Sequence, residues 1–168
     1  AMSATIAAMD APAAEPLARV TVPAKVILLG EHAVVYGYPA IAVPLASVGV
    51  DAAAWPSDDA FDHVHSTFPD GTVESLTVAA APETAPTAVA ARAAFEVWSQ
   101  RLPPLAIALE STIPPGRGLG SSAAVAVAVV RVIAAAAGKA PSAAVEAELA
   151  LAAERVVHGR PSGIDTAT

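Results

Sequence analysis

The stretch Ile113-Pro114-Pro115-Gly116-Arg117-Gly118-Leu119-Gly120-Ser121-Ser122-Ala123-Ala124 constrains this chain more than any other. Prolines lie at its start, and a long run of alanine and valine follows its end. Its three glycines at alternate positions suit a tight turn with positive φ and let a ligand come close to the backbone. The helix expected from Ser121 to Ala137 would leave its first amides without intrahelical partners and turn its positive end toward the loop. Exposed amides at a positive helix end make an anion site, most usefully for phosphate. Ser121 and Ser122 stand where a hydroxyl can cap an amide or ligate a phosphate-bound magnesium ion. The third glycine comes too early for a dinucleotide-binding fingerprint, and no Gly-Lys-Ser/Thr follows as in a Walker loop.

A chain of 168 residues suits one domain of ordinary size, or one domain plus a tail. Alanine dominates its 55% hydrophobic content and aromatics are only 4%, so the core must rest on Val, Leu and Ile. The net charge of −7 without a basic run argues against nucleic acid or an anionic membrane as partner. Without cysteine there is no disulfide, thiolate metal site or cysteine nucleophile. The N-terminus does not read as a signal peptide, and the run from Ala123 to Ala137 is interrupted by Arg131 and too short to span a bilayer. A soluble cytoplasmic protein is the expectation.

Residues 1–16 are rich in Ala and Pro without a period and read as a mobile tail, with residues 17–168 as the domain. A strand is expected from Leu17 to Pro23 and another from Ala24 to Gly30, with Pro23 as a kink or an edge. Ala40 to Ala53 is rich in β formers, with Pro44 and Gly49 as breaks. Trp55 to Gly71 reads as a loop holding at most a short strand. His63 and His65 share a strand face there, but two histidines without a third ligand are a weak metal signal and read as solvated. Thr72 to Ala80 suits another strand. A helix follows from Thr84-Ala85-Pro86 to Arg101, with Val89, Ala93, Phe95, Val97 and Trp98 as its apolar set. Leu105 to Ser111 is a strand that feeds the glycine loop. Gly138 ends the central helix, and Ser142 caps a last one from Ala143 to His158.

Lys25 lies within Val-Thr-Val-Pro-Ala-Lys-Val-Ile-Leu-Leu, where its neighbours on both sides are apolar. An exposed face of an edge strand would explain it, and so would the rim of a phosphate site, where an ammonium stabilises transferring charge. Glu154 could be a surface carboxylate paired with Arg131 or Arg155; it also shares a helix face with His158, four residues on. Magnesium between phosphates wants a hydroxyl and a carboxylate, which Ser122 and Glu154 supply. A second carboxylate beside a lysine, such as Asp165, can orient or deprotonate an attacking alcohol.

Three strings in this order carry a family resemblance. Pro-Pro-Gly-Arg-Gly-Leu-Gly-Ser-Ser-Ala-Ala resembles the ATP-binding motif of the GHMP small-molecule kinases. Ala24-Lys25-Val26-Ile27-Leu28-Leu29-Gly30-Glu31-His32-Ala33-Val34-Val35-Tyr36-Gly37 and His158-Gly159-Arg160-Pro161-Ser162-Gly163-Ile164-Asp165 look like motifs of the mevalonate kinase branch. The resemblance covers residues 17–168 and implies an α+β fold of the GHMP N-terminal type (ribosomal protein S5 domain 2-like), with a mixed or antiparallel sheet packed on helices. It implies that Pro115-Gly116-Arg117-Gly118-Leu119-Gly120-Ser121-Ser122 bind ATP and that Ser122 and Glu154 hold Mg²⁺. It further implies Asp165 as catalytic base with Lys25 beside it, and Glu31, His32, Ser162 and Asp165 around the acceptor, mevalonate. Family members continue into a second domain with a third glycine-rich motif, so a C-terminal domain is expected to complete the site. Another GHMP kinase, such as phosphomevalonate kinase, and a half-domain that only binds nucleotide both stay open. So does a homodimer. Near the motifs only Arg117 and Arg160 add positive charge, which favours an acceptor without its own phosphate.

Overall fold

The fold was obtained as a computed structural model and is described over residues 15–30, 33, 36, 38–98 and 102–158. Among these residues it contains β1 (Ala18–Leu29), β2 (Ile41–Pro56), β3 (His63–Thr67), β4 (Val73–Thr77), α1 (Pro86–Trp98), β5 (Leu105–Ser111), α2 (Ser121–Ala136) and α3 (Ala143–His158). The strands form one sheet in the order β1-β2-β5-β3-β4. Only β3 and β5 run parallel; the other neighbours are antiparallel, so the sheet is mixed. Helices cover one face of it, with α2 against β1, β2 and β5 and packed in turn on α1 and α3. This is the α+β layering expected from the sequence.

α2 lies at the centre. From Ala123 to Ala134 every residue except Arg131 is buried. Apart from Ile133, valine and alanine fill this helix surface, so the sheet and both other helices approach it closely. Arg131 leaves the apolar surround by reaching α3, where its Nε donates to Glu146 Oε2 at 2.8 Å. Gly138 ends the helix at φ 67°, a left-handed stop that needs no Cβ.

β1 and β2 depart from the expected pattern. β1 is one strand through Pro23, which sits on the sheet edge where its missing N–H is tolerated. β2 likewise runs unbroken through Pro44 and Gly49. β5 pairs with β2 only from Val50 to Pro56, so Pro44 has a strand on one side alone. At Gly49 the ladder shifts: Pro23 faces Gly49 but Ala24 faces Leu45, and Ala46, Ser47 and Val48 bulge out. A Cβ on Gly49 would stand 2.5 Å from the Val22 carbonyl oxygen and 3.2 Å from Pro23 Cα. Glycine here admits a close approach of two backbones. Gly49→Ala is therefore expected to destabilise the fold by about 1–3 kcal/mol, the usual range for overpacking. Chemical denaturation would read this as a lower midpoint, and an unchanged midpoint would mean that the bulge has room to give.

Two further expectations need correction. The stretch from Trp55 to Gly71 holds β3 as the short strand that was allowed for, but it begins inside β2, which runs on to Pro56. β3 is legible only through its neighbours, since Val64 and Ser66 turn inward while His63 and His65 turn outward. In α1 the buried residues are Thr87, Ala88, Ala90, Ala91 and Ala94, whereas Val97 is exposed. α1 lies against α2 and α3, and the small side chains give the close approach; Phe95 and Trp98 pack only on its margin.

Candidate functional site

Ile113 is fully buried and anchors the end of β5, while residues 114–118 stand exposed beyond it. The chain then turns back into α2. Gly116, Gly118 and Gly120 have φ of 69°, 68° and 70°, the left-handed conformation expected for all three. Gly120 is the N-cap of α2, and no side chain caps this end. The serines therefore do not take the capping role that the sequence allowed. Ser122 instead donates its hydroxyl to Glu154 Oε1 at 2.7 Å.

That hydrogen bond joins the first turn of α2 to α3. Glu154 is not the surface carboxylate the sequence permitted. It is 1% exposed, and Arg131 pairs with Glu146 rather than with it. A buried carboxylate needs polar or charged partners, and the Ser122 hydroxyl at the start of α2 is one of them. A hydroxyl and a carboxylate are hard oxygen donors of the kind Mg²⁺ takes while most of its shell comes from phosphate and water. The pair fits that ion. Among the described residues no group of three or more His, Cys, Asp or Glu is placed to hold a metal by itself.

β1 supplies the cation. Lys25 is 6% exposed, which excludes the solvated edge position. Its backbone N–H donates to the Leu119 carbonyl at 3.1 Å, tying β1 to the loop. Its side chain runs past Gly120, whose ideal Cβ position lies 2.8 Å from Lys25 Cε. The Leu119 tie has no signature in the sequence, because any residue offers a carbonyl. The structure thus brings together Lys25, the loop from Pro115 to Ser122, and Glu154. Glu31, His32, Ser162 and Asp165 lie outside the described residues, as do Arg160 and residues 1–14.

The two histidines lie elsewhere, on the outer face of the sheet. His63 bonds Asp59 through Nε2 at 2.9 Å, and His65 Nδ1 is 2.6 Å from Ser75 Oγ. The Phe61 amide, and then the His63 ring, hold the exposed Asp59 carboxyl below its usual range. These contacts tie a turn and a hairpin and do not reach the glycine loop. No helix among the described residues is long and apolar enough to cross a membrane.

Comparison with known proteins agrees with this geometry. The N terminal domain of the GHMP kinases matches residues 85–168, half of the chain. A curated mevalonate kinase of Thermococcus onnurineus is 33% identical over 157 residues, which is 85% of this chain and 46% of that protein. The crystal structure of the Methanococcus jannaschii mevalonate kinase superposes with a TM-score of 0.71 over 94% of this chain and 51% of its own, at 24% identity, a likeness of fold. The mevalonate kinase of methicillin-resistant Staphylococcus aureus is 36% identical, with a TM-score of 0.65 over 88% of this chain and 48% of its own. The chain spans about half the length of these relatives. With its glycine loop opening a buried helix and a family match over half its residues, the chain belongs to the GHMP kinases and carries their N terminal domain.

Proposed function

We propose that the protein carrying this chain transfers the γ-phosphoryl group of ATP to the C5 hydroxyl of mevalonate, giving 5-phosphomevalonate and ADP. The observation that carries this reading is the Ser122 hydroxyl bonded to a buried Glu154 at the mouth of the glycine loop. The amides of Gly118 to Ser122 take the phosphates, as expected of backbone N–H groups at a helix start. Ser122 and Glu154 would hold Mg²⁺, which when bound neutralises phosphate charge. Lys25 lies beside Gly120 and stabilises charge that develops on the phosphoryl group in transfer. Asp165 orients the C5 hydroxyl and accepts its proton as the new O–P bond forms, and Glu31, His32 and Ser162 line the acceptor pocket. Similarity to mevalonate kinases, one of them 36% identical, supports the acceptor, and so does the scarcity of further cations near the motifs. A C-terminal domain completes the site in the whole protein.

The test is a coupled ADP assay on the full-length protein with MgATP and a panel of mevalonate, phosphomevalonate, homoserine and galactose. Turnover is expected with mevalonate alone. Preference for phosphomevalonate would move the protein to a kinase of an already phosphorylated acceptor. Nucleotide binding without turnover on any acceptor would leave only a nucleotide-binding module.

A further inference from the structure

The three loop glycines share one backbone conformation but not one surrounding. An added Cβ would meet nothing within 4 Å at Gly116 or Gly118. At Gly120 it would meet the Lys25 stem at three atoms: Cε at 2.8 Å, Cγ at 3.1 Å and Cδ at 3.5 Å. The stem therefore lies flat across the bare Cα of Gly120. One residue earlier, the Leu119 carbonyl accepts the Lys25 backbone N–H at 3.1 Å. A lysine stem has four rotatable bonds and large rotamer freedom when unconfined. Here its root is bonded to the loop and its length is laid against the next loop residue.

We propose that Gly120 is the positioning residue for Lys25, so that the loop which receives the phosphates also sets where the ammonium stands. This rests on Lys25 acting at the transferred phosphoryl group as proposed above. Glycine is then required at position 120 for two separable reasons, a positive φ and an open surface for the lysine. Position 118 has the first requirement without the second.

That difference gives the experiment. Gly118→Ala, Gly120→Ala, Lys25→Ala and the double variant Lys25→Ala/Gly120→Ala are made in the full-length protein. Thermal unfolding of Gly118→Ala measures the cost of alanine at this φ. Gly120→Ala is expected to lose more, and its extra loss is expected to vanish in the double variant, where the stem is gone. In turnover, Gly120→Ala is expected to lower kcat further than Gly118→Ala does, on the order of 10- to 100-fold, because a displacement of about 1 Å at a reacting centre has that effect. KM for ATP should change alike in both. An equal thermal cost with and without the Lys25 stem would overturn the proposal, and so would equal kcat values for the two alanine variants. If Gly120→Ala does not fold, recovery of folding in the double variant supports the contact and continued misfolding overturns it. A wild-type protein without turnover would sink the kinase reading, while the thermal comparison would still decide the contact.

Discussion

Replacing Glu154 by glutamine in the full-length protein is expected to lower kcat by about 10²- to 10³-fold while the fold keeps its stability. Glutamine preserves the volume of a side chain that is 1% exposed, and its carbonyl oxygen can still accept the Ser122 hydroxyl. What disappears is the negative charge. In phosphoryl transfer the protein contributes positioning and electrostatic stabilisation, so a cation held less firmly at the phosphates costs turnover directly. Folding responds less, because glutamine fills the same volume and keeps an acceptor for the Ser122 hydroxyl. The combination separates a working carboxylate from a structural one. A structural Glu154 would show lower thermal stability with turnover and magnesium requirement intact, and that result would remove Glu154 from the site. Titrating Mg²⁺ against rate adds a second reading, since weaker ion binding moves the half-saturating concentration upward.

The parts of this site that were legible in the sequence are those written in local chemistry. Alternate glycines announced three left-handed residues, and all three have φ near 70°. Leu105 to Ser111 was readable as a strand because prolines precede it and its apolar run is short and continuous. The end of α2 was readable from Gly138. The family resemblance added the pairing of Ser122 with Glu154, 32 residues apart, which no periodicity could supply. The illegible parts depend on partners distant in the chain. Pro44 and Gly49 look like breaks in any local reading. Whether a strand survives them depends on where β5 pairs and on how closely β1 crosses Gly49. The buried face of α1 was misread for a related reason. Large apolar residues usually mark a buried face, but this face meets α2 and α3, where alanine lets the helices close in. At the sequence level Arg131 and Arg155 were both open as partners of Glu154. Only the packing of α3 on α2 pairs Arg131 with Glu146 and leaves Glu154 behind the glycine loop.

Lys25→Met is expected to reduce kcat by about 10²- to 10³-fold with a smaller change in KM for ATP, because the lost charge matters most as the phosphoryl group moves. Methionine retains most of the stem that lies on Gly120, so the packing against the loop survives and only the ammonium is removed. The backbone bond from residue 25 to the Leu119 carbonyl is untouched by any side-chain change. Lys25→Arg is the sharper variant. If the site needed only a positive charge near the phosphates, arginine would restore most of the rate. The stem of residue 25 is confined against Gly120 and is 6% exposed, whereas a guanidinium is longer, planar and rigid at its tip. Arginine should therefore place its charge wrongly and remain close to the methionine variant in kcat. Single-turnover rates at saturating ATP would measure this without interference from product release. Recovery by arginine to near the wild-type rate would show that the position of the charge is unimportant, and the reading of Lys25 as a placed cation would fail. Failure of both variants, with folding intact, means that the rate depends on where β1 and the glycine loop together hold one ammonium group.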